Sequence, residues 1–164
     1  MANEVHQKID VSLTDFDFDS NFDEIDSVAD GDIVWSAPVT TCEDCERAEV
    51  IAQITVGTTP TKGGTIEFYV GRAFNSIRTG TDDVTLTDHG ENTDDDDVYA
   101  LLGALGGPVA IISVDDETDT VYTKTFNIWY PTGDFQLFIY NNTGAALNAA
   151  GHDVSYRGWL PEAQ

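Results

Sequence analysis

Two cysteines three positions apart are the first residues of this sequence whose type and spacing suggest chemistry. Cys42 and Cys45 form a CxxC motif and are the only cysteines of the chain. A structural zinc site needs four Cys or His ligands, and a redox CxxC needs nearby cations that lower the thiol pKa. Glu43, Asp44 and Glu46 surround this pair with negative charge instead. We therefore expect a loop with two thiols, which an oxidising medium would bridge, rather than a zinc or redox site.

Three acidic clusters have the oxygen ligands that calcium prefers. Asp15, Asp17, Asp19 and Asp26 occupy positions 1, 3, 5 and 12 of a calcium loop, but Ser20 replaces the glycine of position 6. No helical pattern flanks this segment, so an EF-hand is not expected. The other two clusters are Asp94–Asp97, and Asp115 and Asp116 with Asp119. Such charge runs are ordinarily solvated loops, so we expect no cofactor and leave open a looser calcium site.

No group of residues forms a recognisable catalytic motif. Glu67 is the one acidic residue inside an apolar strand, but no second carboxylate can be assigned to act with it as in a glycosidase. Asn141 and Thr143 match a glycosylation sequon, which we interpret as turn chemistry. The sequence contains neither a nucleophile elbow nor a phosphate-binding loop. We expect a protein without enzymatic activity.

The chain of 164 residues has a formal net charge of −23, from 30 acidic and 7 basic residues. Nucleic acids and anionic membranes attract clustered Lys and Arg, so neither is expected as a partner. An acid excess of this size keeps a protein soluble in concentrated salt and indicates a salt-loving or marine source. The N-terminus lacks a basic segment followed by an apolar run, which favours synthesis in the cytoplasm.

Short β-prone segments separated by turn signals predict about eight strands and little helix. This pattern is typical of an all-β, antiparallel β-sandwich, and eight strands in one domain fit a jelly roll. The segments Glu46–Val56 and Thr65–Ala73 flank a glycine-rich turn and predict a hairpin. Residues 120–164 have a net charge of only −1, so we expect their strands to be buried or to face a partner.

Residues 1–30 alternate apolar and acidic side chains, a pattern that suits an edge strand or an extended arm. Phe16, Phe18 and Phe22 supply most of the apolar surface, which is too little for a separate core. We expect an extended acidic arm over residues 1–30, ordered by a partner surface, and a β-sandwich domain over residues 31–164. The three phenylalanines are candidate interface residues.

Two segments of the sequence resemble a known class of protein. Residues 64–72 read GTIEFYVGR, and residues 135–147 read FQLFIYNNTGAAL, followed by VSYRGW at 154–159. They resemble head decoration, or cement, proteins of tailed viruses with marine or halophilic hosts. The resemblance implies a small jelly-roll-like sandwich that binds the major capsid protein on the capsid exterior and assembles as a homotrimer.

We therefore expect a virion structural protein, made in the host cytoplasm, that stabilises the head through protein–protein contacts. Interface cores are depleted of charge and rich in aromatic residues, so Tyr156, Arg157 and Trp159 are candidates for the subunit contact. The alternative is a carbohydrate-binding β-sandwich module of a viral fibre or surface protein, with or without calcium. Exposed aromatic side chains in a shallow groove would favour this alternative.

The charge excess predicts that stability rises with salt concentration. Repulsion among the acidic groups destabilises the compact state, and salt reduces the screening length to about 3 Å at 1 M. Melting temperatures measured between low and molar sodium chloride should therefore increase. A flat profile would show that the charges are too widely spaced to matter, whereas a large gain from millimolar calcium alone would indicate a specific site.

Overall fold

This computed structural model describes residues 6–18, 25–42, 45–72, 102–103, 105–129, 131 and 135–162. Within these ranges the chain forms eight antiparallel strands. The strands are β1 (His6–Asp15), β2 (Ile33–Trp35), β3 (Arg47–Thr55), β4 (Thr65–Arg72), β5 (Ala110–Ser113), β6 (Val121–Trp129), β7 (Phe135–Asn142) and β8 (Asp153–Glu162). Sheet A has the order β1-β8-β3-β6, and sheet B has the order β2-β7-β4-β5. This is the strand order of a jelly roll, so the predicted all-β sandwich is confirmed.

The main core lies between the two sheets, because each strand places alternate residues on its inner face. The fully buried residues of β3 are Ala48, Val50, Ala52 and Ile54. Phe68 of sheet B and Phe126 of sheet A meet across the core with ring centroids 5.1 Å apart. Such aromatic pairs stabilise the fold by more than the free energy expected from their buried area alone.

Strand β7 is buried on both faces, which explains its almost continuous apolar sequence. Leu137 and Ile139 face the main core. A second cluster on the outer side of sheet B consists of Trp35, Tyr69, Phe138 and Tyr140, with Leu102 and Leu105 packed against it. The low charge of β7 therefore follows from burial within its own chain.

The described part of residues 1–30, predicted as an extended arm, contains strand β1 and several residues of the main core. Residues 6–15 form β1 and pair antiparallel with β8. Phe16 is 6% exposed, and its ring centroid lies 4.8 Å from that of Tyr156. Ile25 and Val28 also lie in the main core. The alternating pattern marks an edge strand that β8 orders, rather than an arm that depends on another molecule.

Strands β3 and β4 do not form the predicted hairpin. They lie in opposite sheets, so the turn between them carries the chain from sheet A to sheet B. Gly57 and Gly64 are required there, because a Cβ on either would collide with the backbone of Ala146 or Thr143. Turn chemistry is the same for a hairpin and for a crossing between sheets, so the sequence alone does not distinguish them.

Asn141 is a buried polar residue that joins three backbone segments. Its amide nitrogen lies 2.9 to 3.0 Å from the carbonyl oxygens of Val28, Ala29 and Ala145. Its Oδ1 accepts hydrogen bonds from the backbone N–H and the hydroxyl of Thr143. The interpretation of the sequon as turn chemistry is therefore confirmed.

Truncation of Phe16 tests whether this residue belongs to the core. Phe16→Ala should lower the free energy of unfolding by about 3 kcal/mol, because it leaves a cavity among buried rings. For a chain of this size the melting temperature, followed by circular dichroism, should fall by roughly 6–12 °C. Phe18, which is only partly buried, is the matched control, and Phe18→Ala should cost clearly less. Equal effects of the two variants would contradict the core position of Phe16.

Candidate binding face of sheet A

The outer face of sheet A carries a row of aromatic and basic side chains on β8, β3 and β6, with an isoleucine of β1 at its end. The strand register places Trp159 of β8 opposite Arg47 of β3, and Arg47 opposite Trp129 of β6. Ile9 of β1 lies opposite Trp159 on the other side. These side chains project outward, because the residues between them on each strand fill the core.

Guanidinium groups and indole rings alternate along this row. The Cζ atom of Arg47 lies 4.8 Å from the ring centroid of Trp159 and 6.0 Å from that of Trp129. The Cζ atom of Arg157 lies 5.4 Å from the ring centroid of Trp159. These distances are within the reach of cation–π attraction, which holds the groups in a fixed order. We call Arg157, Trp159, Arg47 and Trp129 the Trp–Arg ladder.

Glu49 fixes the ladder from the next outward position of β3. Its Oε2 atom accepts a hydrogen bond from Nε of Arg157 at 2.5 Å and one from the indole N–H of Trp159 at 3.3 Å. Arg47 in turn donates to Oδ1 of Asn127 at 2.9 Å. The hydrogen bond from Arg157 lowers the pKa of Glu49 below its ordinary value, although burial opposes this effect. The carboxylate therefore stays ionised and orients two members of the ladder.

A disulfide packs on the inner side of β8 beneath the ladder. Cys42 and Cys45 form this bond and are 1% and 4% exposed. Gly158 lies directly against them, and a Cβ at this position would collide with both sulfur atoms. The expected loop with two thiols is thus bridged in the structure. The bridge closes the loop that leads into Arg47, so it braces the strand that carries the centre of the ladder.

The candidate interface residues from the N-terminal segment do not form a common surface. Phe16 lies in the main core, and Phe18 packs partly buried against it. Phe22 lies outside the described residues. Tyr156, proposed for the subunit contact, is also in the core, and its hydroxyl hydrogen-bonds to Thr41 at 2.8 Å. Phe16 and Tyr156 were predicted as interface residues, and within this chain both are buried in the main core.

Arg157 and Trp159 are the two candidates that the structure places together on an outer face. Trp129 was expected only in general terms to supply core or subunit contacts, and Arg47 was not expected at an interface; together they complete the ladder. Both residues begin or end a strand, and no local pattern identifies their neighbours. Only the pairing of β3 with β8 and β6 brings them beside Trp159, so the missing information was the strand register.

A cleft of about 460 Å³ at the start of β8 brings together two of the acidic residues considered for calcium, Asp15 and Asp26. Asp15, Asp26, Asp153 and His152 are among the residues that line it. The hydroxyl of Ser155 lies 2.8 Å from a carboxylate oxygen of Asp15 and of Asp153. Within the described ranges, no three His, Cys, Asp or Glu side chains are grouped closely enough to hold a metal ion. Asp19 and the Asp94–Asp97 cluster lie outside those ranges.

Glu67, the acidic residue of β4, faces outward from sheet B and is engaged by its own strand. It accepts hydrogen bonds from the hydroxyls of Tyr69 at 2.5 Å and Thr65 at 2.9 Å. Burial, and then the bond to Glu67, raises the pKa of Tyr69, so this phenol remains a donor. The arrangement orders the outer side of β4.

Substitution of Glu49 tests how much the ladder contributes to stability. Glu49→Gln should lower the free energy of unfolding at pH 7 by about 1 kcal/mol, because a partly buried ion pair is lost. This corresponds to a fall of about 2–4 °C in melting temperature. Glu117→Gln, in an exposed turn, is the matched control and should leave the melting temperature unchanged.

The same comparison has a predicted pH dependence. Because the pKa of Glu49 is lower in the folded state than its unfolded value of 4.5, its ion pair stabilises the fold fully above pH 4.5. This stabilisation is lost as the pH falls through the folded-state pKa. The difference between wild type and Glu49→Gln should therefore be full at pH 7 and shrink below about pH 4.5. A difference that stays constant through this range would contradict the ion pair as its cause.

Among the residues that the structure describes, no helix has the length and apolar character needed to cross a membrane. Comparison with protein-family models and with curated proteins finds no match for this sequence. The Trp–Arg ladder on the outer face of the jelly roll is therefore the feature that indicates a function.

Proposed function

We propose that this protein is a non-enzymatic structural subunit of a virion, a decoration or cement protein that binds the major capsid protein through the Trp–Arg ladder. The observation that carries the proposal is the position of the ladder on an outer sheet face of a protein with a net charge of −23. The location on the exterior of a viral capsid, and synthesis in the host cytoplasm, are proposed from the sequence resemblance described above.

The composition of the ladder supports a role in protein contact. Tryptophan and arginine are the residue types most enriched among those that dominate binding energy at protein interfaces. Trp129 is 53% exposed and Ile9 is 46% exposed, so the two ends of the row present apolar surface to solvent. A partner that covers this row would remove that surface from water, which favours association.

The rigidity of the ladder supports the same conclusion. Ordering a long side chain at an interface costs about 0.5–1.5 kcal/mol, and this cost is avoided when the side chain is already held in place. Glu49 and the indole of Trp159 fix Arg157, and Asn127 with both indoles fixes Arg47. The ladder therefore meets a partner in an ordered state.

The distribution of charge makes this face the favourable one for approach. The chain has four arginines, and two of them lie in the ladder. A partner with acidic groups is repelled by most of a −23 surface but meets guanidinium groups here. This local complementarity selects the orientation in which the subunit would attach.

A second candidate function is carbohydrate binding, and the exposure of Trp129 favours it. Asn127 and Thr125 lie on the same outer face of β6 as this indole. A flat aromatic ring beside amide and hydroxyl groups suits a sugar, which has apolar ring faces and polar edges. Jelly rolls occur both in viral capsids and in lectins, so the fold alone does not separate the two functions.

Two binding assays, each performed with the wild type and with Trp129→Ala, distinguish the two functions. Heads isolated from a mutant of the encoding virus that lacks this protein should bind the purified chain, measured by co-sedimentation in molar salt. Trp129→Ala should weaken binding by about 2 kcal/mol, or roughly thirty-fold. Ile111→Ala is the matched control, because Ile111 is an exposed apolar residue of β5 in the other sheet. Failure of the wild type to sediment with heads would contradict the first proposal. Retention of the wild type, but not of Trp129→Ala, in gels containing polysaccharide would then support the second.

A further inference from the structure

Strand β6 combines exposure with an almost complete lack of charge. Among the described residues it is the last strand of sheet A, and five of its nine residues are exposed, namely Val121, Thr123, Lys124, Thr125 and Trp129. Lys124 is its only charged residue. The neighbouring strands β7 and β8 are also nearly neutral, but each lies inside a sheet between two others. Burial explains the low charge of β7 and β8 and does not explain that of β6.

The other edge strands carry the features that prevent association with another chain. Natural proteins protect edges with short strands, charges and bulges. Strand β1 contains Asp10 and Asp15, and its register with β8 shifts twice. Strands β2 and β5 have three and four residues. Strand β6 has one such charge, Lys124, but it pairs with β3 over nine consecutive positions without a shift, so its outer edge is long and regular.

The hydrogen bonds of β3 establish which residues of β6 point toward this edge. The N–H of Val56 donates to the carbonyl oxygen of Thr120, whereas the N–H and carbonyl oxygen of Thr55 bond on the side of β8. In antiparallel pairs the direction alternates along each strand. The even-numbered residues of β6 therefore bond to β3, and the odd-numbered residues direct their N–H and C=O groups outward.

We propose that β6 pairs antiparallel with β6 of a second copy of this chain, across a two-fold axis at Thr125. Sheet A would then continue through both copies as one sheet of eight strands. A two-fold contact of this kind is self-complementary, which is the usual symmetry of homodimers. The contact uses the backbone of the strand edge and shares only Trp129 with the ladder, so it does not depend on the proposed binding to a capsid.

The register centred on Thr125 pairs the whole strand and matches the exposed side chains. All five odd-numbered residues, whose backbone groups point outward, would form hydrogen-bonded pairs with the second copy. Val121, which is 51% exposed, would lie opposite Trp129 of the second copy, which is 53% exposed. Two of the exposed apolar residues would thus cover each other. Each ladder would then end against Val121 of the other copy, because Trp129 is the member of the ladder on β6.

The absence of acidic residues on β6 also favours this edge for contact between copies. Two molecules that each carry −23 repel strongly, so they can approach only where acidic groups are absent. In the proposed register Lys124 lies opposite Phe126 of the second copy, so the two lysines do not face each other directly. High salt screens the remaining repulsion, and association should therefore be stronger in molar salt.

A single cysteine at the two-fold axis tests this arrangement directly. Residues in a hydrogen-bonded antiparallel pair have Cα atoms about 5.5 Å apart, which is within the range of a disulfide. Thr125→Cys should therefore form a covalent dimer under mild oxidation, read on a non-reducing gel. Thr123→Cys is the matched control, because its pairing partner is Asn127 of the second copy, and it should remain uncrosslinked. No crosslink at Thr125, or equal crosslinking of both variants, would overturn the proposal.

Light scattering of the full chain in molar salt provides the second measurement. The wild type should have twice the monomer mass of 17.8 kDa. Thr125→Glu places two carboxylates at the axis and should weaken the dimer at least ten-fold, while circular dichroism stays β-like. Thr14→Glu makes the same change on the other edge strand, β1, and should leave the dimer intact. A wild type that is monomeric, or the homotrimer expected from the sequence resemblance, would overturn the two-fold contact.

Discussion

The pairing of β8 with β1 on one side and with β3 on the other is the interaction on which sheet A depends. The inner residues of β8 include Tyr156, which meets the ring of Phe16 after β1 and so joins the N-terminal segment to the core. Its outer residues Arg157 and Trp159 form one side of the ladder. Gly158, between them, leaves room for the buried disulfide. One strand thus connects the core, the cross-link and the candidate binding face.

The jelly roll was predictable because its signals are local. Segments such as Val121–Trp129 and Phe135–Asn142 are rich in β-branched and aromatic residues, and turn residues separate them. The pairing of strands is not local, which is why the turn after β3 was interpreted as a hairpin. The acidic composition of residues 1–30 likewise concealed β1, since the strand is ordered by a partner more than 130 positions away in sequence.

The candidate site was only partly predictable, for a reason that lies in strand geometry. Successive side chains of a strand point to opposite faces, so Tyr156 and Arg157 cannot belong to the same surface. Arg157 and Trp159 share a face, and the structure brings these two predicted residues together. Arg47 and Trp129 join them through register alone. Low charge was likewise an ambiguous signal, because it marks buried strands such as β7 as well as the exposed edge of β6.

The burial of Asn141 has a practical consequence for producing the protein. Its side-chain amide, the group to which a glycan would be attached, is hydrogen-bonded to three carbonyl oxygens of two segments and has no exposed surface. A eukaryotic secretory host attaches glycans to nascent chains, before the two sheets close around this residue. A bulky sugar at Asn141 would then keep residues 28 and 29 from docking, because the site has no space for it. Expression in a compartment without this modification avoids the conflict between a glycan and the packing around Asn141.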